Sequence, residues 1–227
     1  MYITTALTRH SVPLASYAPL PAGKMQGWRV AAKRSLDVLV SFAFLLVVAS
    51  WLFPLLALAI RLQNPGPALF RQRRIGHNGQ PFDCWNFRTM YVHEQPDGIL
   101  CQATASDARI TPIGAWLRRV SIDELPQFYN VLRGEMSLVG PRPHAPGTRA
   151  AGRPFEQVVP GYVRRHSVKP GITGLAQVRG WRGETDTEEK LIRRVESDFE
   201  YIAKWSLRLD LLILLRTIPA FFVADAY

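Results

Sequence analysis

Apolar and polar residues alternate along this chain in four distinguishable rhythms, each predicting a different element. From Val38 to Ile60 there are 23 consecutive residues without a formal charge, enough for a helix to cross a hydrocarbon core. Pro54 lies inside that run, where it removes a backbone donor and crowds the carbonyl four residues earlier, so a bend is expected near Ser50 to Pro54. After the breaker cluster Asn64-Pro65-Gly66-Pro67, the stretch ALFRQRRIGHNGQPFDCWNF reads as two short strands around Asn78-Gly79, a pair suited to positive φ. Ile113 to Arg119 and Ser121 to Leu132 suit short helices, with Gly134 ending the second.

Toward the C-terminus, Leu191, Val195, Phe199 and Ile202 recur at helical spacing behind an Asp186-Thr187 start, a stripe that predicts core. Leu207, Leu211, Leu214, Leu215, Ile218 and Phe222 line one face of a last helix interrupted at Pro219; Arg208, Asp210 and Arg216 make it a poor spanning segment. It is expected to pack on the domain or lie in a membrane interface. Residues 1 to 27, rich in Pro, Ser and Thr, read as a tail, and 93 to 111, with Pro96, Asp97 and Gly98, as an irregular excursion. The expected class is α+β, mainly helical, with a re-entrant N-terminal membrane helix, a small β-hairpin or sheet and interfacial amphipathic helices. Its divisions are a tail (1–30), the membrane helix (31–63) and a membrane-associated catalytic domain (64–227).

Charge changes the picture of the apolar run. Lys33 and Arg34 precede it and Arg61, Arg71, Arg73 and Arg74 follow it, so the positive-inside rule assigns both flanks to the cytoplasm. A helix that enters and returns reconciles the flanks with Pro54; an ordinary spanning helix with a tolerated proline is the alternative. Over all 227 residues, 28 lysines and arginines against 18 acids give a net charge of +10, which favours an anionic partner without choosing among nucleic acid, lipid headgroups and phosphorylated substrates. Cys84 and Cys101 form no CxxC pair, and the five histidines lack metal-ligand spacing, so neither a disulfide framework nor a zinc site is expected.

The segment LRRVSIDELPQFYNVLRGEMSLVGPRP holds the candidate chemistry. Taken alone, Ser121 followed by Glu124 is a capping box, with Asp123 favoured by the positive end of the helix. Its surroundings add more. Adjacent carboxylates, with Arg118 and Arg119 before them and Arg142 in a proline-fixed turn after them, are suited to hold a phosphate and a divalent cation together. Aspartate is a known covalent nucleophile at phosphorus and arginine grips phosphate oxygens through two donors, so Asp123 is a candidate nucleophile.

These blocks, in order, resemble one family. KRSLDV, the kinked apolar segment, NPGPALFRQRRIGHNGQPF, FRTM, SIDELPQFYNVLRGEMSLVGPRP and KPGITGLAQVRGWRGETDT are similar to the monotopic phosphoglycosyl transferases, or bacterial sugar transferases, including the undecaprenyl-phosphate glucose phosphotransferases. The resemblance implies a hexose-1-phosphate transferase of the bacterial inner membrane, its catalytic domain facing the cytoplasm. Asp123 would attack the sugar-bearing phosphorus of a UDP-sugar and release UMP, and undecaprenyl phosphate would then take the phosphosugar from the aspartate.

Glu124 matches the second acid, helping to hold Mg2+ or to activate the acceptor, and the metal positions are Asp123 and Glu124. Arg118 and Arg142 match arginines that hold substrate phosphates. For Arg88, Arg119 and Lys169, a solvated or headgroup-facing charge is at least as good a reading as direct substrate contact. Glucose is the favoured sugar, with galactose-1-phosphate or another sugar phosphate as alternatives, and surface glycan synthesis is the expected setting. Membrane lipids and further copies of the chain complete the expected partners; nucleic acid is not one of them.

Two departures from the family pattern stand out: Ser50 is followed by Trp51, with the proline only at position 54, and Asn86 occupies a position often basic. Two other classes compete. A membrane-anchored nucleic-acid module would use the basic balance and Phe70, Trp85 and Phe87, and a noncatalytic scaffold would use SIDE only as a helix cap.

Overall fold

A computed structural model describes residues 27–91, 107–183 and 185–222, with side chains to 218. The expected tail, most of the 93–111 excursion, Cys101 and the last five residues lie outside the described residues. The apolar run begins as helix α1 (Trp28–Phe44), widens into a π-helical turn (Leu45–Ala49) and continues as α2 (Ser50–Gln63). Together they form one helix long and apolar enough to cross a membrane, by length and composition.

The irregularity has a local cause. Pro54 cannot donate to the Ser50 carbonyl, and the ladder loosens just N-terminal to that point, where the Trp51 indole donates to the Val47 carbonyl at 2.9 Å. The expected bend region is therefore irregular, but the wide turn lies before Ser50 rather than between Ser50 and Pro54.

This helix is inside-out by the standards of a soluble protein. Asp37 and Ser41 are buried, whereas Leu39, Phe42, Leu46, Trp51, Leu55, Leu58 and Leu62 are exposed. Water would not favour so large a contiguous apolar surface, but a bilayer would. Both arms also sit on the same domain. Asp37 accepts from Ser137 Oγ and Leu138 N at 3.0 Å, while Leu56 and Ile60 pack with Ala68, Phe87 and Leu117.

Strands β1 (Leu69–Ile75) and β2 (Pro81–Phe87) pair antiparallel, Leu69 opposite Phe87. Asn78 and Gly79 at their turn both take positive φ, 53° and 74°, as the pair predicted. Helix α3 (Pro112–Arg119) starts at Thr111, whose Oγ1 accepts from Gly114 N at 3.0 Å.

Helix α4 (Gln127–Arg133) ends at left-handed Gly134, as expected, but starts six residues later than the pattern suggested. Its Asn130 is fully buried, donating to the Asp83 carbonyl and accepting from Trp85 N, which fixes α4 to β2.

After α4 come β3 (Ser137–Val139), the short antiparallel pair β4 (Arg149–Ala150) and β5 (Arg153–Pro154), the single-turn helix α5 (Phe155–Val158), β6 (Gly171–Thr173) and α6 (Leu175–Val178). Strands β3 and β6 pair in parallel, so the VGPRP and KPGITG loops leave one place side by side. Their contact is backbone on backbone. A Cβ on Gly140 would stand 2.4 Å from the Lys169 carbonyl oxygen, which explains the glycine without any appeal to unusual torsions.

The main core forms beneath them, against α7 (Glu188–Lys204), whose Leu191, Val195, Phe199 and Ile202 are buried behind a Thr187 cap. The last helix, α8 (Leu207–Phe222), runs on through Pro219 rather than stopping there. Its buried face carries Asp210 and Ile213, while Leu211, Leu215 and Ile218 from the predicted apolar stripe point outward.

Candidate functional site

The turn holding Asp123 and Glu124 is not the start of a helix. Ser121 is left-handed, φ 54°, Ile122–Glu124 form a 3-10 turn and Ser121 makes no cap hydrogen bond. The capping-box reading is thereby corrected. Helix α4 begins only after Pro126, while the Ser121 hydroxyl accepts from Arg182 at 3.1 Å. A left-handed serine costs energy that a bland cap would not, and its result is to turn both acids toward the loops from β3 and α6.

The two acids meet opposite environments. Glu124 is held by Arg142 through both carboxylate oxygens, Nη1 to Oε2 at 2.8 Å and Nη2 to Oε1. Burial opposes its ionisation, but the Arg142 charge and hydrogen bonds outweigh it and hold the Glu124 carboxyl below its ordinary range. Arg142 in turn is stabilised as a cation, chiefly by Glu124.

Asp123 has no comparable partner: among the described residues no side chain forms a hydrogen bond or ion pair with its carboxylate. Burial first, and the adjacent Glu124 charge second, push it up to about 7 against the pull of Arg118 and Arg142. One acid is thus fixed as an anion while its neighbour titrates near neutrality, a separation typical of acids with different duties.

Arg142 is itself held in place. Its carbonyl accepts from Arg165 Nη2 at 2.8 Å, and the next carbonyl, that of Pro143, accepts from Arg74 Nη1 at 2.7 Å. Arg165 is locked by a buried ion pair with Asp198 at 2.6 Å and donates to the Tyr162 hydroxyl at 2.9 Å. His144 and His166 stack behind this pair at 5.4 Å, and burial lowers them to about 2 and about 4. His144 is buried and His166 partly buried, and both are neutral.

Of the four predicted site residues, the structure brings Asp123, Glu124 and Arg142 together. Arg118 also lies close enough to favour the Asp123 anion, its Nε anchored on Thr89 Oγ1 at 2.8 Å. Sequence reasoning missed Arg74 and Arg182, which both act on Glu124, although each lay within a quoted block, RQRRIG and GWRGET.

Arg88, read as solvated or headgroup-facing, is instead buried and donates to the Asn64 and Pro65 carbonyls after α2. Arg119 is exposed, as read; Lys169 is partly buried. Phe87, a candidate base-stacking residue, is buried edge-on against Phe53 at 5.0 Å and presents no face to a nucleic acid. Asn86 serves locally, accepting from Gln127 at 3.4 Å.

Four arginines, 74, 118, 142 and 182, therefore converge on two carboxylates. The surplus is positive, in a half-buried place where charge is felt strongly. Fold and site together define a centre of clustered arginines around two carboxylates, on a largely helical domain that carries an apolar helix of membrane-crossing length.

The family model of the bacterial sugar transferases matches residues 28–224. This chain belongs to that family. It is 48% identical over 208 residues to the UDP-glucose:undecaprenyl-phosphate glucose-1-phosphate transferase of Escherichia coli K12, covering 92% of this chain and 44% of that protein. It is 50% identical over 194 residues to the protein of the same name from Caulobacter vibrioides, covering 85% and 70%. To the exopolysaccharide production protein PSS of Rhizobium leguminosarum bv. phaseoli it is 46% identical over 186 residues, covering 82% and 92%. The chain thus spans less than half of the Escherichia coli relative and nearly all of the Rhizobium one.

Proposed function

We propose that this chain transfers glucose-1-phosphate from UDP-glucose to undecaprenyl phosphate, releasing UMP. The observation that carries the reading is the split pair: Glu124 committed to Arg142, and Asp123 uncommitted, titrating near 7 and ringed by guanidinium groups. The names of the Escherichia coli and Caulobacter relatives supply the substrate class.

In the first step an Asp123 carboxylate oxygen bonds to the sugar-bearing phosphorus as the bond from that phosphorus to the bridging oxygen breaks, and UMP leaves with the electron pair. In the second, a phosphate oxygen of the lipid attacks the same phosphorus and displaces the Asp123 carboxylate, forming the lipid diphosphate sugar. Arg142, Arg118 and Arg182 are positioned to neutralise charge on the two phosphates as it shifts to the leaving group.

Magnesium suits this donor set. Mg2+ is typically held by one or two carboxylates plus substrate phosphates and water, and Asp123 offers oxygens not engaged by any other side chain among the described residues. Glu124 would have to yield an oxygen from Arg142 to join it. Such an ion would offset the repulsion between the carboxylate and the diphosphate.

The apolar helix is proposed to enter and leave the cytoplasmic leaflet, with both flanks and the catalytic domain on the cytoplasmic side of the inner membrane. Basic residues at both ends, the wide turn at 45–49 and the seating of both arms on one domain support this reading. The exposed apolar row of α8 supports an interfacial position for that helix.

The reaction is tested by mixing purified protein, Mg2+ and UDP-glucose without lipid. A burst of UMP up to one equivalent is expected, with a mass gain of one hexose phosphate on Asp123. No burst and no adduct would rule out the two-step route.

A further inference from the structure

A cavity of about 310 Å³ opens directly beside the acid turn, bounded by Ser121, Glu124 and Arg182 at one end. This is at the small end of ligand pockets, which run to about 300–1,000 Å³. Away from that end its walls are mostly hydrocarbon, Gln177 being the polar exception beside two threonines: Phe44 of α1, stacked on Phe128 of α4 at 4.1 Å, with Leu138, Leu214 and Ile218. The Thr217 hydroxyl there donates to the Ile213 carbonyl at 2.7 Å and accepts from the Thr173 hydroxyl at 2.8 Å.

Such a chamber suits one kind of occupant, a molecule with a phosphate at one end and a hydrocarbon at the other. A hexose would leave its hydroxyls facing carbon, at a cost for each one unpaired. The cavity also has an exit of matching chemistry. Ile218 lines it and is 58% exposed, in the same outward row of α8 as Leu211 and Leu215, while Phe44 belongs to the helix whose Phe42 and Leu46 are exposed. A long chain leaving the cavity there would remain on apolar surface.

We infer that this cavity is the acceptor subsite, holding the isoprene units next to the phosphate of the polyprenyl phosphate so that its head meets Arg182 and the acid turn from the membrane side. This rests on the transfer reaction proposed above. It assigns Phe44, Phe128, Leu214, Thr217 and Ile218 to the acceptor.

The experiment separates the two half-reactions. Thr217→Trp fills the cavity, and Ile218→Trp covers its rim at an exposed position where folding tolerates it. Both should raise the KM for undecaprenyl phosphate in detergent micelles about tenfold or more, while the lipid-free UMP burst keeps its amplitude. Leu211→Trp, on the outward face of α8 and outside the cavity, is the control for a general effect of bulk on that helix and should leave the acceptor KM in place.

Gln177 supplies an internal check. Its Oε1 is buried on the cavity wall without a hydrogen-bond partner among the described residues, so Gln177→Leu should favour a hydrocarbon occupant and lower the acceptor KM about two- to threefold. If Gln177→Leu instead raised the KM for UDP-glucose in the burst, the chamber would belong to the sugar and the inference would fall. It would fall equally if Thr217→Trp and Ile218→Trp bound acceptor as the parent does. A parent protein with no burst at all would refute the reaction itself, a distinct result.

Discussion

Arg142 grips both carboxylate oxygens of Glu124, across eighteen residues of sequence, and this pairing sets the character of Asp123 beside it. Burial, and after it the charge of Glu124 held as an anion, disfavours a charge on Asp123 and keeps it near its titration point. Replacing Arg142 by Lys keeps the charge but not the two-pronged geometry. The expected outcome for Arg142→Lys is a fall of about a hundredfold in the UMP burst rate, as for a misplaced catalytic group. Arg142→Ala should also lower stability, by about 3–5 kcal/mol, because it strands a buried carboxylate. Burst kinetics and chemical denaturation check the two claims.

The burst should depend on pH through Asp123. The attacking form is the carboxylate and its pKa is about 7, so the rate should rise between pH 6 and 8 and level off above. A rate flat from pH 5 to 8 would contradict the raised pKa.

Stability should run the opposite way. A carboxyl whose folded pKa is raised above the ordinary 3.8 binds its proton more tightly in the fold than in the unfolded chain, so stability falls as pH climbs from about 4 to 7. Asp123→Asn removes that penalty. It should abolish the adduct yet raise Tm at pH 8 by a few degrees, at about 2–4 °C per kcal/mol for a chain of this size, and the gain should shrink toward pH 4. Thermal unfolding in detergent at the two pH values measures it.

Gly140 and the Lys169 carbonyl leave no room for a side chain. Gly140→Ala would drive a methyl group into the backbone of the neighbouring loop, at 2.4 Å from that oxygen. Because β3 and β6 are paired there, neither loop can retreat without displacing Arg142. Loss of both the burst and thermal stability is expected, with membrane association retained.

The side of the membrane on which each flank lies is open to labelling. Cysteines at Arg29 and Arg61, both exposed, should react from the cytoplasmic side alone in a chain lacking Cys101. Labelling of the two from opposite sides would replace the re-entrant reading with a simple span.

Much of the fold was legible because its causes are local. The Asn78-Gly79 turn, the Gly134 stop, the Leu191 to Ile202 stripe and the long apolar run are each decided by torsional preference or periodicity within a few residues. The acids were legible as well, but their local structure was not. Ser121 and Glu124 have the spacing of a capping box, and only the tertiary partner Arg182, sixty-one residues away, shows why Ser121 is left-handed instead.

The arginine ring was illegible for the same reason. Arg74 and Arg182 come from a hairpin and from a loop after α6, and no spacing rule connects them to Glu124. The inverted helix is a third case. Its long apolar run was plain, yet that Asp37 and Ser41 would face inward and the leucines outward depends on what the domain offers beneath them.

Lys33, near the start of the apolar helix, donates to Asp210 of α8 at 2.8 Å, where Tyr201 and Trp205 complete the carboxylate's hydrogen bonds. The contact joins residues 177 apart and is almost wholly shielded from water. It makes the hydrophobic segment a structural part of the domain and not a detachable tether. Cutting that segment away to obtain a water-soluble fragment would remove Lys33 from a buried Asp210, so the domain is not expected to survive as a portable piece.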